Sequence, residues 1–257
     1  MTAIEPRPGP ARRLEWRRAK VRQVIVETSR VKSLFLDLAG WPGHLPGQHV
    51  DVRLTGEDGY QAQRSYSIAS PAEDEFVALT VERVENGEVS PYLVDEIRNG
   101  DQFELRGPIG GYFVWTVAMG GPLCLIAAGS GIAPLMAMLR HRDTQSARIP
   151  AVLLYSARSV EDVIYRKETE AMARRDPHLR VVGALTRQQP EGWTGYRRRI
   201  DKPMLADACF PPEREPKIYV CGPTPFVEDV SSFLVELGHD AVTIKTERFG
   251  PTGGPAQ

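Results

Sequence analysis

The spacing of hydrophobic residues differs between the two halves of the chain. In the first half, apolar residues alternate with polar ones, as at Val77, Leu79 and Val81, which is typical of strands that bury one face. Turn residues such as Gly40-Trp41-Pro42-Gly43 separate these runs. The pattern predicts six or so strands in a small antiparallel barrel or sandwich. It also predicts one short helix over Tyr92–Ile97, with Ser90 as its N-cap and Pro91 at its first position.

In the second half, continuous apolar runs alternate with longer segments of helical character. Such an alternation predicts an α/β domain with a parallel, doubly wound sheet. The predicted strands are Leu123–Ala128, Ala151–Tyr155, Leu179–Leu185, Lys217–Cys221 and Val242–Phe249, and the predicted helices are Pro134–Arg142, Val160–Arg175 and Phe226–Leu237.

The hydrophobic pattern changes near residues 113–121, which predicts a boundary between two domains there. We expect a disordered tail over residues 1–14, a β domain over 15–116, an α/β domain over 117–250 and a flexible tail over 251–257. The N-terminal residues contain prolines and arginines but no apolar segment of the kind that a signal peptide needs, which favours the cytoplasm.

No charged residue lies between Arg106 and Arg140, a stretch long enough to raise the question of a membrane span. Glycines and prolines such as Gly107, Pro108 and Pro122 break it into pieces too short to satisfy their own backbone in lipid. The sequence therefore predicts no membrane insertion.

Charge and composition exclude other classes. Lysine and arginine number 32 against 33 acidic residues, a net charge of −1, so no nucleic-acid partner is expected. The three cysteines have no CxxC spacing and the five histidines no paired spacing, so neither a disulfide framework nor a metal site is predicted. Nothing in the sequence indicates an oligomeric state.

The segment Gly129-Ser130-Gly131-Ile132-Ala133-Pro134 follows an apolar strand and opens a helix. Glycines let a backbone approach a pyrophosphate, and the helix N-terminus offers free N–H groups to it. The third glycine of the ordinary dinucleotide fingerprint is absent, and no acidic residue follows Ala151–Tyr155. The motif alone is therefore compatible with any strand–turn–helix unit.

Two segments of the first half contain polar groups that could bind a ligand. Arg64-Ser65-Tyr66-Ser67-Ile68-Ala69-Ser70 presents a cation, a ring and hydroxyls, and Gly87-Glu88-Val89-Ser90 precedes the short helix. The first could bind phosphate and stack a ring, and the second could bind an anion or simply cap the helix. By themselves, both segments are also ordinary barrel sequence.

Taken together and in order, these segments resemble the ferredoxin–NADP reductase family, in which a flavin-binding barrel precedes a pyridine-nucleotide domain. The resemblance extends from about Trp16 to Phe249. It rests on Pro46-Gly47-Gln48, Arg64-x-Tyr66-Ser67-x-x-Ser70, Gly87-x-x-Ser90, Gly107-Pro108-x-Gly110, Gly129-x-Gly131-x-x-Pro134, Cys221-Gly222-Pro223 and Glu247-x-Phe249.

The resemblance implies roles at the flavin. Arg64 would contact the phosphates, Tyr66 would pack on the isoalloxazine ring, and Ser67 would hydrogen-bond near N5. Ser70 belongs to the same motif, and the backbone of Gly87, Glu88, Val89 and Ser90 would hold the pyrophosphate, which favours FAD over FMN.

On the nucleotide side, the resemblance implies that Gly129, Ser130, Gly131, Ile132, Ala133 and Pro134 hold the pyrophosphate. Cys221, Gly222 and Pro223 would lie where the nicotinamide meets the flavin, Glu247 near the nicotinamide amide or on a proton path, and Phe249 over the other flavin face. The alternatives are that Cys221 is a small buried hydrophobe, Glu247 a surface charge and Phe249 a core or terminal anchor.

Cofactor choice depends on Arg158, Thr186 and Arg187, which the resemblance assigns to the 2′-phosphate of NADPH; Arg197-Arg198-Arg199 adds positive charge nearby in the sequence. NADPH is therefore favoured with NADH open, and Arg197 to Arg199 is otherwise a solvated loop.

The resemblance implies an FAD-dependent NAD(P)H reductase with Ser67, Cys221 and Glu247 as catalytic residues. It is a stand-alone form without the cysteine pattern of a fused iron–sulfur domain, so it would pass electrons to a separate ferredoxin or oxygenase component. Two alternatives remain open: a flavin or ferric-chelate reductase, and a non-catalytic electron-transfer or nucleotide-sensing subunit of a larger complex.

Overall fold

The computed structural model describes residues 14–250. The predicted tails, residues 1–14 and 251–257, lie outside this range except for Leu14. No helix of the described chain has the length and apolar character needed to cross a membrane.

The first half forms a six-stranded antiparallel sheet in the order β4-β3-β6-β1-β2-β5. A bridge between Ile68 and Leu79 joins the two ends of this order, and the Ala69 amide donates to the Ala78 carbonyl at 2.8 Å. The sheet thus closes on itself as a barrel around an apolar interior. Its strands are β1 (Arg17–Thr28), β2 (Val31–Leu38), β3 (His49–Thr55), β4 (Gln61–Ser67), β5 (Val77–Glu82) and β6 (Gln102–Ile109).

The predicted short helix is a single π-helical turn over Tyr92–Glu96, and its cap is not the one expected. Ser90 does not cap it with its side chain. Instead, the Ser90 hydroxyl accepts a hydrogen bond from the Val84 amide at 3.0 Å and closes the preceding loop. The capping prediction was wrong because this hydroxyl serves the loop rather than the helix.

The second half is a five-stranded parallel sheet in the order β11-β10-β7-β8-β9, with helices on both faces. This is the predicted doubly wound α/β class. The strands are β7 (Leu123–Ala128), β8 (Ala151–Ala157), β9 (Leu179–Leu185), β10 (Lys217–Pro223) and β11 (Ile244–Phe249), and the helices are α1 (Ile132–Thr144), α2 (Arg166–Arg175), α3 (Lys202–Ala208) and α4 (Thr224–Glu236).

Two helices differ from the prediction. The helix expected from Val160 begins only at Arg166, because Tyr165 takes a left-handed conformation with φ of 57° and interrupts it. Helix α3 was missed. Its N-cap Asp201 accepts a hydrogen bond from the Met204 amide at 2.9 Å, a capping signal that the sequence did contain.

The strand order reverses between β7 and β10, which are neighbours in the sheet although β8 and β9 separate them in sequence. In open α/β sheets, ligands bind outside the carboxyl ends of strands at such a point. The loop after β7 and the end of β10 therefore lie where a nucleotide site is expected. The domain limits 15–116 and 117–250 stay a prediction; β6 ends at Ile109 and β7 begins at Leu123.

Candidate functional site

Arg64 on β4 meets the loop before the π-helical turn. Its Nη2 donates to Glu88 Oε2 at 3.2 Å, and the Tyr60 hydroxyl donates to Glu88 Oε1 at 2.5 Å. Arg64 remains about half exposed. The fold thus brings Arg64 close to the 87–90 loop, the two parts that the resemblance assigned to the flavin phosphates. In this structure the Glu88 carboxylate pairs with the Arg64 guanidinium.

The backbone of this loop is tightly folded at Gly87. A Cβ added there would lie 3.1 Å from both the Ser90 hydroxyl and the Val84 carbonyl, so a side chain would crowd the loop. Val89 is fully buried in the barrel core, whereas Glu88 is exposed. Val89 and the buried Ser90 hydroxyl anchor the loop, while Glu88 faces solvent, as an anion-binding loop requires.

The rest of the β4 motif is more buried. Tyr66 is partly buried and packs against the barrel core, and burial raises the pKa of its phenol. Ser67 is buried at the end of β4. Ser70 is buried as well, but its hydroxyl accepts a hydrogen bond from the Ala78 amide at 3.0 Å, so it stabilises the barrel closure.

Ser67, Cys221 and Glu247 converge from different strands. The Ser67 hydroxyl donates to Glu247 Oε1 at 3.4 Å, and Cys221 on β10 is the direct parallel neighbour of Glu247 on β11. Cys221 is fully buried, and that burial together with the Glu247 carboxylate raises the pKa of its thiol. The three residues predicted to be catalytic therefore form one cluster where the two sheets meet.

Glu247 is the electrostatically unusual member of this cluster. Burial raises its pKa from 4.5 to about 7, and the hydrogen bond from Ser67 opposes the rise only in part. Its second oxygen, Oε2, is buried and has no hydrogen-bond partner among residues 14–250. A buried acceptor without a partner is costly, and a carboxyl with a pKa near neutrality can hold or release a proton under ordinary conditions.

The loop after β7 forms a 3₁₀ turn over Gly129–Gly131 and leads directly into α1. A Cβ on Gly131 would lie 2.3 Å from the Cys221 carbonyl oxygen, so only glycine allows this turn to approach β10 so closely. The Tyr155 hydroxyl donates to the Gly129 carbonyl at 3.0 Å and fixes the start of the turn.

The other residues of the Gly129–Pro134 loop differ in burial. Ile132, Ala133 and Pro134 are buried in the first turn of α1, whereas Ser130 is half-buried. The loop is therefore anchored by apolar side chains while the helix N-terminus stays at the carboxyl edge of the sheet.

The residues predicted to select the nucleotide meet at this same edge. The Arg187 amide donates to the Arg158 carbonyl at 2.9 Å, and the Thr186 hydroxyl donates to the Ala157 carbonyl at 3.2 Å. Both arginines are exposed. Among the neighbouring arginines, Arg198 is paired with Asp201 at 2.6 Å.

At the ends of β10 and β11, Pro223 is exposed and Gly222 is buried, with a Cβ on Gly222 falling 2.8 Å from the Phe226 ring. Phe249 is half-buried, is the parallel neighbour of Pro223 and packs against the core of the α/β sheet. Its predicted place over a flavin face stays a prediction.

Comparison with known proteins matches both halves of the chain. A family model described as "Oxidoreductase FAD-binding domain" matches residues 22–114, and one described as "Oxidoreductase NAD-binding domain" matches residues 125–232. The chain belongs to the ferredoxin–NADP reductase-like family. Its cofactors are FAD and a pyridine nucleotide, as the resemblance implied.

Individual members of this family show the likeness in detail. The chain is 34% identical to "Glycine betaine monooxygenase reductase subunit" of Pseudomonas aeruginosa, over 80% of this chain and 56% of the relative, and 30% identical to "Toluate 1,2-dioxygenase electron transfer component" of Pseudomonas putida, over 80% and 58%. It thus spans just over half the length of these curated relatives. Its structure superimposes with a TM-score of 0.81 on the FAD/NAD binding domain of nitric oxide dioxygenase from Vibrio cholerae, at 26% identity, over 91% of this chain and 99% of that one.

The structure adds three residues that sequence reasoning did not single out for their side chains. Glu88 accepts a hydrogen bond from Arg64 and another from Tyr60, and Tyr155 donates to the Gly129 carbonyl. Glu88 lay within the predicted loop, but only its backbone was assigned a role. No sequence signal linked Tyr60 to Glu88, because the contact depends on how the loop folds over β4.

The residues present fit the two cofactors of this reductase-like family. The exposed guanidinium and tight loop suit a pyrophosphate, and the partnerless Glu247 oxygen can accept a hydrogen bond from a group at the cluster. Gly131 leaves the backbone bare at the start of α1, where a second pyrophosphate would have to approach closely.

Proposed function

We propose that the chain is an FAD-dependent NAD(P)H reductase that passes electrons to a separate ferredoxin or oxygenase component. The observation that carries this proposal is the 3.4 Å contact from Ser67 to Glu247, which joins the flavin motif of the barrel to the nucleotide edge of the parallel sheet. For the chain's location, we propose the cytoplasm on the sequence prediction alone.

On the flavin side, the proposal gives Arg64 and the amides of the 87–90 loop the task of holding the pyrophosphate. Charge-assisted bonds from the guanidinium and free amides near a helical turn are suited to it. Tyr66 would offer its ring to the isoalloxazine, and Ser67 would donate a hydrogen bond near N5.

FAD, when bound, accepts a hydride from the nicotinamide and releases electrons singly or as a pair. The chain's own contribution is positioning and the exclusion of water. Cys221 is fully buried and would shield the place where the two rings meet. Glu247, with its pKa near 7, would hold a proton at Oε1 or Oε2 and exchange it with the Ser67 hydroxyl.

On the nucleotide side, the Gly129–Pro134 loop would hold the pyrophosphate through its backbone. Arg158, Thr186 and Arg187 lie together at the edge of the sheet, and two exposed guanidinium groups suit a 2′-phosphate. NADPH is the nucleotide we propose, with NADH the alternative.

The proposed acceptor is supported by the relatives. The two curated relatives named above are, by their printed names, a reductase subunit of a monooxygenase and an electron transfer component of a dioxygenase. The proposal for this chain is a role of the same kind with a separate partner.

Steady-state reduction assays test this proposal. Purified protein with bound FAD is mixed with NADPH or NADH and, in parallel, with a panel of ferredoxins and oxygenase components, ferric chelates and free flavin. We expect a ferredoxin-type or oxygenase acceptor to be reduced fastest. Preference for ferric chelates or free flavin would contradict the acceptor, and lack of any NAD(P)H-dependent reduction would contradict the reductase itself.

A further inference from the structure

A closed ring of hydrogen bonds lies between the barrel and the α/β sheet. The Tyr165 amide donates to Glu27 Oε2 at 3.4 Å, and the Ser33 hydroxyl donates to Glu27 Oε1 at 2.8 Å. Ser33 also bonds to the Thr80 hydroxyl at 2.9 Å, and Thr80 bonds in turn to the Tyr165 hydroxyl. The ring thus begins and ends on Tyr165, and it takes one residue from each of β1, β2 and β5.

The chemistry of the groups fixes the direction of this ring. A carboxylate only accepts hydrogen bonds, so the Ser33 hydroxyl donates to Glu27. The Thr80 hydroxyl then donates to Ser33, and the Tyr165 hydroxyl donates to Thr80. Ser33, Thr80 and Tyr165 are all buried, and a buried polar network is stable only when every member has a partner. Removing one hydroxyl therefore takes a hydrogen-bond partner away from another buried group.

Arg140 on α1 also contacts Tyr165. The Arg140 guanidinium lies 4.6 Å from the centre of the Tyr165 ring, donates to the Ala69 carbonyl at 2.7 Å and forms a two-bond pair with Glu168. Ala69 follows Ser67 by two residues in the flavin motif. Arg140 thus connects the helix that carries the nucleotide loop to the strand end that carries Ser67.

A second connection leads from Tyr165 to the nucleotide loop. The amide of its neighbour Ile164 donates to the Tyr155 hydroxyl at 3.4 Å, and this hydroxyl donates to the Gly129 carbonyl. Tyr165 itself stands in a left-handed conformation that a side chain rarely adopts, with φ of 57°. Such a conformation persists only when the surroundings hold it.

We propose that Tyr165 and Arg140 are positioning residues that fix the Gly129–Pro134 loop relative to Ser67. This inference rests on the proposed reductase function, since its consequence is the alignment of the two cofactors. Nucleotide and flavin would still bind when the ring is broken, but their reacting ends would be displaced.

Variants of the shared Tyr165–Thr80 bond test this inference. Tyr165→Phe and Thr80→Val each remove one hydroxyl from the ring, Thr80→Ser keeps the hydroxyl, and Thr243→Val removes one on the surface near β11 as a matched control. In anaerobic stopped-flow measurements, we expect the first two to slow flavin reduction at saturating NADPH by roughly 10-fold. FAD affinity and the half-saturating nucleotide concentration should stay unchanged, and the double variant should be no slower than either single one.

Two further readouts do not depend on turnover. The long-wavelength charge-transfer absorbance that NADP⁺ produces when it stacks on reduced flavin should weaken in Tyr165→Phe, and peptides covering Gly129–Pro134 should exchange amide hydrogens faster. Thr80→Ser and Thr243→Val should match the original protein in all measurements.

Unchanged rates, additive effects in the double variant, or a loss that simply follows loss of FAD would overturn the inference. If the original protein is not reduced by NAD(P)H at all, the proposed function fails. Hydrogen exchange in the loop then decides by itself whether the ring positions it.

Discussion

The Ser67 hydroxyl and the Glu247 carboxylate are hydrogen-bonded at 3.4 Å, although 180 residues separate them in the sequence. Ser67 ends a strand of the barrel, and Glu247 lies in the last strand of the parallel sheet. The contact therefore places a buried, protonatable group at the junction of the two domains, next to Cys221.

Glu247 should make the stability of the protein depend on pH. In the unfolded chain its carboxyl titrates near 4.5, whereas burial raises the folded value to about 7. Between these values the folded state binds more protons, so the free energy of unfolding should fall as pH rises from about 5 to above 7 and then level off. The total fall due to this group is at most about 3 kcal/mol.

Chemical denaturation at a series of pH values measures this effect. In Glu247→Gln the decline attributable to this residue should disappear, while Glu228→Gln, an exposed control on α4, should keep it. A parallel pH dependence in Glu247→Gln and the original protein would show that the carboxyl does not titrate as proposed.

Glu88 should weaken FAD binding, because it occupies Arg64 and brings negative charge into the proposed pyrophosphate loop. Glu88→Gln should tighten FAD binding by about fivefold, since both partners are partly exposed and such pairs contribute little. Titration of FAD fluorescence at low salt measures the change, and added salt should reduce it. Glu85→Gln, an exposed change in the same loop, is the control; equal affinities in the two variants would contradict the role of Glu88.

Gly131→Ala should disrupt the nucleotide edge. The new methyl would fall 2.3 Å from the Cys221 carbonyl oxygen and 2.8 Å from the Gly222 amide nitrogen, so the Gly129–Gly131 turn and the end of β10 must separate at a cost of about 1–3 kcal/mol. We expect lower thermal stability and at least tenfold weaker nucleotide binding, measured by calorimetry. Gly111→Ala adds the same methyl where nothing lies within 4 Å, and should have little effect. Tight binding by Gly131→Ala would argue against close approach at this loop.

Arg187→Ala should change the choice between nucleotides. If its exposed guanidinium binds the 2′-phosphate, kcat/KM for NADPH should fall about tenfold, with that for NADH nearly unchanged. Arg174→Ala, which removes an exposed arginine on α2 that has no predicted role at the nucleotide, is the comparison. The assignment fails if the ratio of the two nucleotides stays the same in Arg187→Ala.

The sequence predicted the two-domain fold well because both hydrophobic rhythms are strong. The strand Leu179–Leu185, for example, has the predicted limits. It did not predict that α2 begins only at Arg166, because Tyr165 is held in its left-handed conformation by contacts with the barrel, which local sequence does not encode. Ser90 was misjudged for a similar reason: its hydroxyl satisfies the Val84 amide, a choice made by loop geometry.

The candidate site, too, was predictable from the sequence only in part. Motif order was enough to nominate Ser67, Cys221 and Glu247, and the fold brings them together. Periodicity could not reveal partners that meet only in the folded protein. The contact of Tyr155 with Gly129 depends on the pairing of β8 with β7, and the ring around Tyr165 depends on packing between the barrel and the α/β sheet.

Anaerobic addition of NADPH to the purified, FAD-containing protein is the most direct test of the reductase proposal. The protein should be yellow, its visible flavin absorbance should bleach rapidly, and the colour should return when a ferredoxin-type or oxygenase acceptor is added. A protein that remains colourless after incubation with FAD, or that binds FAD and is bleached by neither NADPH nor NADH, would contradict it.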